Sequence, residues 1–419
     1  MRISTNEFLL GSLNDILAQQ QNVNQLNREI SSGETMLDAS DDPGGASQVV
    51  GLANQIGSLT YDTANGEAAT QTLQNGVSTL TQVSNLLTQL RGNVSEVASG
   101  TSTEATREAA IASAQSVLHQ LVQLANTQGP NGGYIFAGTK SNSPAFSLLS
   151  SGQVVFNGDA GTNSVEIAPS LTVPSTVSGQ NIFLNVSAGT AGVAVSASGG
   201  NTGDAYAIAS GVTNISQITA ASLAGTQYDI SFSGSGSALS YQVTSGTGTP
   251  GSAGYNASAG VIASGSYTAG ADITFAGVDI SINGTPASGD SFAVQPGATA
   301  SIFQTVQDYI TALQTPAGSG ADSALGEQAL QNVLLNIGGA QSSVLSAQAS
   351  LGTSLAEIQS VQSQDGTMTT NATTEISNLQ SANMPQVLAN YSEGVTALQA
   401  SELAFAKVQG LTLFSDIQP

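Results

Sequence analysis

The stretch NMPQVLANYSEGVTALQASELAFAKVQ, residues 383–409, decides the fold of this chain. Its apolar side chains recur in alternating steps of three and four, and the polar Glu402 takes one place in the series. The members of this C-terminal stripe are Leu388, Tyr391, Val395, Leu398 and Phe405. Such spacing places them along one face of a helix, and a helix with one apolar face needs a partner. The stretch therefore predicts a coiled coil or a helical bundle.

The N-terminus supplies a matching stripe. Its members are Leu9, Leu13, Ile16, Val23 and Ile30, with Gln20 and Asn27 in the two polar places. The sequence Ser4-Thr5-Asn6-Glu7 has the form of a capping box, which predicts a helix from about residue 5 to Ser31. We expect the two ends of the chain to pair, so that residues 1–42 and 375–419 form one helical layer.

Two longer stripes flank the middle of the chain. The outgoing stripe runs from Leu52 to Val94, and the returning stripe runs from Leu330 to Ile358. A third helix, ending near Gly129-Pro130, and a helix from Ser301 accompany them. We expect residues 43–140 and 301–374 to form a bundle in which the long helices pack together.

The motif Ser40-Asp41-Asp42-Pro43 precedes the outgoing helix. Asp42 is in the position of an N-cap and Pro43 in the first helical position, where proline loses no hydrogen bond. Both acids would face the positive end of the helix. We expect the two aspartates to stabilise the turn rather than to carry chemistry.

The segment between the helices changes to Gly, Ser, Thr and Ala with short alternating apolar runs. Strands are predicted at 153–156, 228–232, 239–243 and 273–275. Disorder competes with β-structure for 187–225 and 244–270, where the apolar spacing fails. The prediction is an α+β chain: a long antiparallel helical coiled coil or bundle built from both terminal regions, with a β-rich outer part at 141–300, in which 187–300 is an inserted module.

Charge and composition exclude several classes of partner. The chain of 419 residues carries 6 Lys and Arg against 28 Asp and Glu, a formal net charge of -22, so nucleic acids and anionic membrane surfaces would repel it. It has no Cys, and no apolar run is long enough to insert into a membrane. The N-terminus lacks the basic region, apolar core and cleavage site of a secretory signal. Export would require another route.

Candidate catalytic residues are scarce. His119 is the one histidine and lies within a predicted helix, and no phosphate-binding glycine motif occurs. Asp159 and Asp290 follow glycines in predicted turns and could hold a cation, although the spaced acids of a calcium loop are missing. We predict no enzyme activity, no cofactor and no metal.

Four motifs carry a family resemblance. Residues 30–34 and 39–46, which include the Ser40-Asp41-Asp42-Pro43 run, resemble the N-terminal signature of bacterial flagellins and their junction relatives. The run GYIFAGTK at 133–140 and its neighbour FNGD at 156–159 are similar to the flagellar hook-associated junction proteins of the FlgL type, the third hook-associated protein of the flagellin superfamily. So is AFAKVQGLTLF at 404–414. The motif residues in the second region are Tyr134, Phe136 and Gly138.

This resemblance implies a structural subunit at the hook-filament junction, which adapts the hook to the flagellin filament. The implied partners are the first hook-associated protein, flagellin, further copies of this chain in a ring, and an export chaperone on the C-terminal helix. It also implies an extracellular location on the flagellum, reached through the flagellar type III apparatus without a cleaved signal. Two alternatives remain: flagellin itself, or a secreted adhesin or enzyme carried on a flagellin-like frame. The segment 187–300 departs from the shorter members of the family.

Overall fold

The computed structural model describes residues 5–98, 103–248, 250, 255–257, 260–315 and 320–415. Within these residues, long helices precede and follow a β-rich middle along the chain, so the predicted α+β class is confirmed. The helices are α1 (Thr5–Ser32), α2 (Pro43–Ala98), α3 (Glu104–Ala125), α4 (Ile215–Leu223), α5 (Ile302–Gln314), α6 (Ala321–Gln380) and α7 (Met384–Ser415). Proline occupies the first turn of α2 and of α7, as its fixed φ and missing N–H favour.

The strands are short and antiparallel. They are β1 (Phe146–Leu148), β2 (Val154–Phe156), β3 (Ser164–Ala168), β4 (Leu171–Pro174), β5 (Val186–Ser187), β6 (Val193–Ala197), β7 (Tyr206–Val212), β8 (Gln227–Ser233), β9 (Ser240–Gly246), β10 (Val261–Ser266), β11 (Asp272–Phe275), β12 (Val278–Asn283), β13 (Ser291–Pro296) and β14 (Thr299–Ala300). The pairs β1–β2, β3–β4 and β5–β14 are two-stranded. The larger sheets have the orders β10-β9-β8-β13-β6 and β11-β12-β7.

The chain divides into two compact units. The first consists of Met1–Ala64 with Val361–Pro419, and the second consists of Asn65–Ser360. Each is described by itself below.

In the second unit, α2 and α6 run antiparallel and pack through their predicted stripes. Leu73, Leu80 and Leu87 of α2 are buried, as are Val344 and Leu351 of α6. The polar places in the α6 stripe also face α2: Gln341 Nε2 donates to Thr88 Oγ1 at 3.1 Å, and Gln348 Nε2 donates to Thr81 Oγ1 at 3.0 Å. The predicted packing of the long helices is therefore confirmed.

Helix α3 stops at Ala125, before the glycine and proline that the sequence indicated as its end. The amide of Asn126 bonds the backbone of Phe146 in both directions, with Nδ2 donating to the carbonyl at 2.8 Å and Oδ1 accepting from the N–H at 2.9 Å. This pairing ends the helix and places Asn126 beside β1. At its other end α3 supports α5, because the Arg107 guanidinium donates to the carbonyl of Leu313 at 2.7 Å.

The region from β6 to β13 (193–296), called the outer module below, has a core of its own. Its two larger sheets and α4 enclose Ile230, Val243, Ile280, Phe292 and Val294, each fully buried. Disorder, the competing prediction for 187–225 and 244–270, is wrong for the described strands β6, β7 and β10 and for α4. Small buried residues such as Ala207 and Ala209 fill the core there, and their weak hydrophobicity hides the alternation in the sequence.

Candidate functional site: terminal helices and family motifs

In the first unit, α1 packs against α7. Ile16, Val23 and Ile30 are half-buried on α1, and Tyr391, Val395, Leu398 and Phe405 are half-buried on α7. The helices approach closely at Gly394, where a Cβ atom would lie 3.2 Å from Val23 Cγ2. Gln19 Nε2 also donates to the carbonyl of Gly394 at 3.3 Å. Glycine at this position therefore allows the two backbones to come together.

Other members of the predicted stripes lie on the solvent side. Leu13 is 41% exposed and Leu388 is 50% exposed, whereas the side chain of Leu9 is outside the described part of the chain, as is Ser4 of the capping box. A straight α-helix has 3.6 residues per turn, so side chains that follow a 3.5-residue repeat move gradually around its surface. Accordingly Gln19 and Leu26 face α7, in place of Gln20 and Asn27.

The outer face of α1 carries a second apolar row. Leu10, Leu13 and Leu17 follow each other in steps of three and four and are 55%, 41% and 48% exposed. On α7, Leu403 is 66% exposed. The paired helices thus keep a row of apolar side chains on their solvent side.

The breaks between the helices meet in a short backbone pairing, called the clasp below. Thr35 N–H donates to the carbonyl of Gln380 at 2.7 Å, and Ala382 N–H donates to the carbonyl of Gly33 at 2.9 Å. Gly33 has φ +75°, a value that favours glycine. Two backbone hydrogen bonds therefore hold the chain just after α1 beside the C-terminal end of α6.

The two aspartates of the 40–43 motif have separate structural roles. Asp41 Oδ2 accepts from the N–H groups of Leu37 and Asp38, at 3.1 and 2.9 Å, and so closes the preceding turn. Asp42 Oδ1 accepts from Gly44 N–H at 3.0 Å in the first turn of α2. The predicted capping role of Asp42 is confirmed by this contact.

The 133–140 motif enters the core of the second unit through its aromatic residue. Phe136 is fully buried and meets Phe183 edge to face, with ring centroids 5.4 Å apart. Phe146 and Phe303 complete the cluster, with centroids 5.0 Å apart. Tyr134 is half-buried, and its N–H donates to the carbonyl of Ser141 at 2.8 Å. The motif thus joins the β-hairpin region to α5.

Gly138 and the 156–159 motif form one structure. Gly138 has φ +70°, and a Cβ atom there would lie 2.3 Å from Asp159 Oδ1. Asp159 Oδ1 accepts from the N–H groups of Thr139 and Gly161, at 2.8 and 3.0 Å, and its Oδ2 bonds the Thr139 hydroxyl. The Thr139 hydroxyl and N–H hold the pKa of the Asp159 carboxyl below its ordinary 3.8, and the Lys140 charge acts in the same direction.

Asp290, the other candidate cation ligand, has a similar role in the outer module. It is buried, and its carboxylate accepts from the N–H groups of Thr202, Gly203 and Ala287 at 2.8 to 3.0 Å. Backbone N–H groups aimed at a carboxylate satisfy it without a metal. The described residues contain no group of three or more metal-ligating side chains, and His119 is exposed on α3.

The first unit also contains a buried acid that no sequence pattern indicated. Asp365 of α6 is 5% exposed, and its Oδ2 has no hydrogen-bond partner among the described residues. Burial raises the pKa of Asp365 above its ordinary 3.8, and the charge of Asp62 on α2 raises it further.

In the described part of the chain, no helix is long and apolar enough to span a membrane.

Comparison with known proteins supports the resemblance. Residues 3–141 match the family described as the bacterial flagellin N-terminal helical region. Flagellar hook-associated protein 3 of Escherichia coli (strain K12) is 24% identical over 418 residues, which cover 99% of both chains. The chain is thus similar to flagellar hook-associated protein 3 along its whole length. The homologue from Salmonella typhimurium is 30% identical over 152 residues, covering 36% of this chain and 48% of that protein.

A solved structure of a flagellar junction protein has the same fold. The flagellar junction protein FlgL from Legionella pneumophila is 26% identical, with a TM-score of 0.68. The likeness covers 80% of this chain and 100% of that one. These relatives match the chain over its helices and its β-rich middle.

Proposed function

We propose that this chain is a structural, non-enzymatic subunit of the bacterial flagellum at the junction between hook and filament. The observation that carries the proposal is the match to flagellar hook-associated protein 3 over 99% of both chains. A full-length match includes both terminal helices and the outer region, so the likeness extends beyond the N-terminal helices shared with flagellin.

The terminal helices are the proposed assembly surface. Residues 1–42 and 375–419 would form an inner helical layer, in which the two predicted stripes and the exposed row Leu10, Leu13 and Leu17 meet neighbouring subunits. Residues 43–140 and 301–374 would form the next layer, and 141–300 would face outward. Copies in a ring would meet through head-to-tail contacts, in which two different surfaces pair.

The proposed partners are the first hook-associated protein on one side and flagellin on the other. An export chaperone would cover α7 before assembly, since the apolar surface of this helix is exposed in the single chain. The chain would reach the outside of the cell through the flagellar type III apparatus without cleavage of a signal.

Immunogold labelling of isolated flagella tests the proposal. A single band at the distal end of the hook is the expected result. Labelling along the whole filament would instead identify the chain as flagellin, and labelling of other surface structures would favour an adhesin on a flagellin-like frame.

A further inference from the structure

Three amide side chains of α6 lie on one face of the helix, where two contact the outer module and the third contacts the segment that precedes it. Gln328, Asn332 and Asn336 are spaced by four residues, which places them one above another. Asn336 Oδ1 accepts from the N–H of Gly189 at 2.9 Å. Gln328, at 4% exposure, is the most deeply buried glutamine among the described residues.

Gln328 bonds the backbone of β7 as a neighbouring strand would. Its Oε1 accepts from Ala207 N–H at 2.7 Å, and its Nε2 donates to the Ala207 carbonyl, also at 2.7 Å. Strand β7 is an edge of the three-stranded sheet, where Ala207 lies opposite Ile282 of β12. Both polar groups of Ala207 therefore point away from β12, toward the position of an absent strand.

The second sheet presents its own edge at the same place. Strand β6 ends the five-stranded sheet, and Val195 lies opposite Val294 of β13. The Val195 carbonyl accepts from Asn332 Nδ2 at 3.0 Å, and Gln328 Nε2 lies 3.4 Å from the same oxygen. Gln328 and Asn332 also bond each other, from Nε2 to Oδ1 at 3.1 Å. The described strands β6 and β7 are not paired with each other, so these amides satisfy both edges.

We infer that Gln328 is a latch that takes the place of a missing strand between β6 and β7 and fixes the outer module to α6. The two sheets of the module are thereby completed by a helix that lies outside it in sequence. Without the latch, the buried N–H and carbonyl groups of Ala207 lose their partners, and each such loss is costly. The module then loses its fixed direction relative to α6.

Distance measurements between spin labels test this inference directly. The chain has no Cys, so Ser216→Cys on α4 and Ser350→Cys on α6, both exposed, provide the only two labelling sites. The wild-type background should give a narrow distance distribution. Gln328→Met keeps the length of the side chain but removes its polar atoms, and should broaden the distribution. Hydrogen exchange of β7 should also become about tenfold faster, since an unsatisfied buried pair costs at least about 1.4 kcal/mol.

Gln331→Met is the matched control, because Gln331 is half-buried on the same helix and none of the described hydrogen bonds involves its side chain. It should leave both the distances and the exchange unchanged. A narrow distribution in Gln328→Met, or equal broadening in both variants, would overturn the latch.

Gln328→Glu gives a second test if Gln328→Met does not fold. A protonated carboxyl group can accept from Ala207 N–H and donate to the Ala207 carbonyl, as the amide does, whereas the carboxylate can only accept. The distribution should be narrow at acid pH and broaden as the pH rises, while the wild type stays narrow throughout. A distribution that does not change with pH in Gln328→Glu would contradict the inference.

Discussion

The carboxylate of Asp159 accepts a hydrogen bond of 2.8 Å from the backbone N–H of Thr139 and so joins two sequence motifs that lie on either side of β1 and β2. The same carboxylate bonds the Thr139 hydroxyl and the N–H of Gly161. A side chain that accepts three such bonds determines the path of both segments, which makes it a point where stability depends on ionisation.

We expect Asp159→Ala to lower the unfolding temperature at pH 7. Since the pKa of Asp159 is lowered in the folded protein, its stabilising contribution is fully present above the ordinary value of 3.8. It should be lost as the pH falls through the folded pKa. The difference in unfolding temperature between wild type and variant should therefore shrink in acid, which calorimetry between pH 2 and 7 can measure. Glu108→Ala, exposed on α3, is the control, and a difference that is constant with pH would contradict the assignment.

Gly138→Ala should destabilise the chain more than Gly132→Ala. Both glycines have positive φ, +70° and +76°, so both substitutions carry a backbone cost of about 1 kcal/mol. Only at position 138 does the new Cβ meet neighbours, namely Asp159 Oδ1 and the Asp159 carbonyl at 2.3 and 2.4 Å. The overpacking adds about 1 to 3 kcal/mol. If Gly138→Ala and Gly132→Ala lower the free energy of unfolding equally, Gly138 is required only for its positive φ.

Asp365→Asn should stabilise the first unit at neutral pH by about 1 kcal/mol, because it removes a buried charge that lies near Asp62. The pKa of Asp365 is raised in the folded protein, so the wild type is most stable below the ordinary 3.8 and loses that stability as the pH rises through the folded pKa. The gain should therefore be absent in acid and appear toward pH 7. Glu375→Gln, on the exposed face of α6, should show no such trend in thermal unfolding.

Brief trypsin treatment of the single chain should cut first after Arg28 and Lys407, which are exposed on α1 and α7. The first unit has few fully buried apolar side chains, so its helices should open at low cost. Arg107 should resist, because its guanidinium holds the carbonyl of Leu313. Mass spectrometry of the products gives the order of cleavage. First cuts after Arg91 or Arg107 would count against mobile ends.

Leu17→Asp should block assembly while sparing the fold. Leu17 is 48% exposed, so a carboxylate there stays hydrated in the single chain, but it would be buried if the outer row of α1 meets a neighbouring subunit. Electron microscopy of the mutant cells should show bare hooks, with folded protein in the medium.

Three further substitutions complete this assembly test. Asn22→Asp, also exposed on α1 but roughly 140° away around the helix, should leave the filaments normal. Leu398→Asp should also leave the hooks bare, because Leu398 is half-buried where α7 packs on α1, and the exposed Thr396→Asp is its matched control. Normal filaments on the Leu17→Asp cells would exclude the row as an assembly surface.

Much of the helical part could be predicted from local signals. Pro43 and Pro385 place the starts of two helices, and the stripe from Leu52 to Val94 sets the face of α2 that packs on α6. Gln341 and Gln348 continue the returning stripe, and both bond α2. Such features depend on neighbours within one or two turns, which the sequence states directly.

The contacts that organise the β-rich region could not be predicted in this way. Gln328 and Ala207 are 121 residues apart in the sequence, so no local pattern indicates their contact. A glutamine beside an apolar stripe is ordinarily predicted to be a solvated side chain. The exposed stripe residues show a related limit: Leu13 and Leu388 fit a 3.5-residue repeat, but the contact face of the pair follows the 3.6-residue turn of straight helices.

The clasp between residues 33–35 and 380–382 has a mechanical consequence. Helices α1 and α6 already end there, so a change of angle at this level breaks no hydrogen bond inside a helix. The two backbone hydrogen bonds, from Thr35 to Gln380 and from Ala382 to Gly33, hold these two segments side by side. The chain therefore has to bend in both segments at the same position along the helix pair. Helices α1 and α7 can thus tilt together as one pair. A torque applied to either helix is transmitted through the clasp to the other.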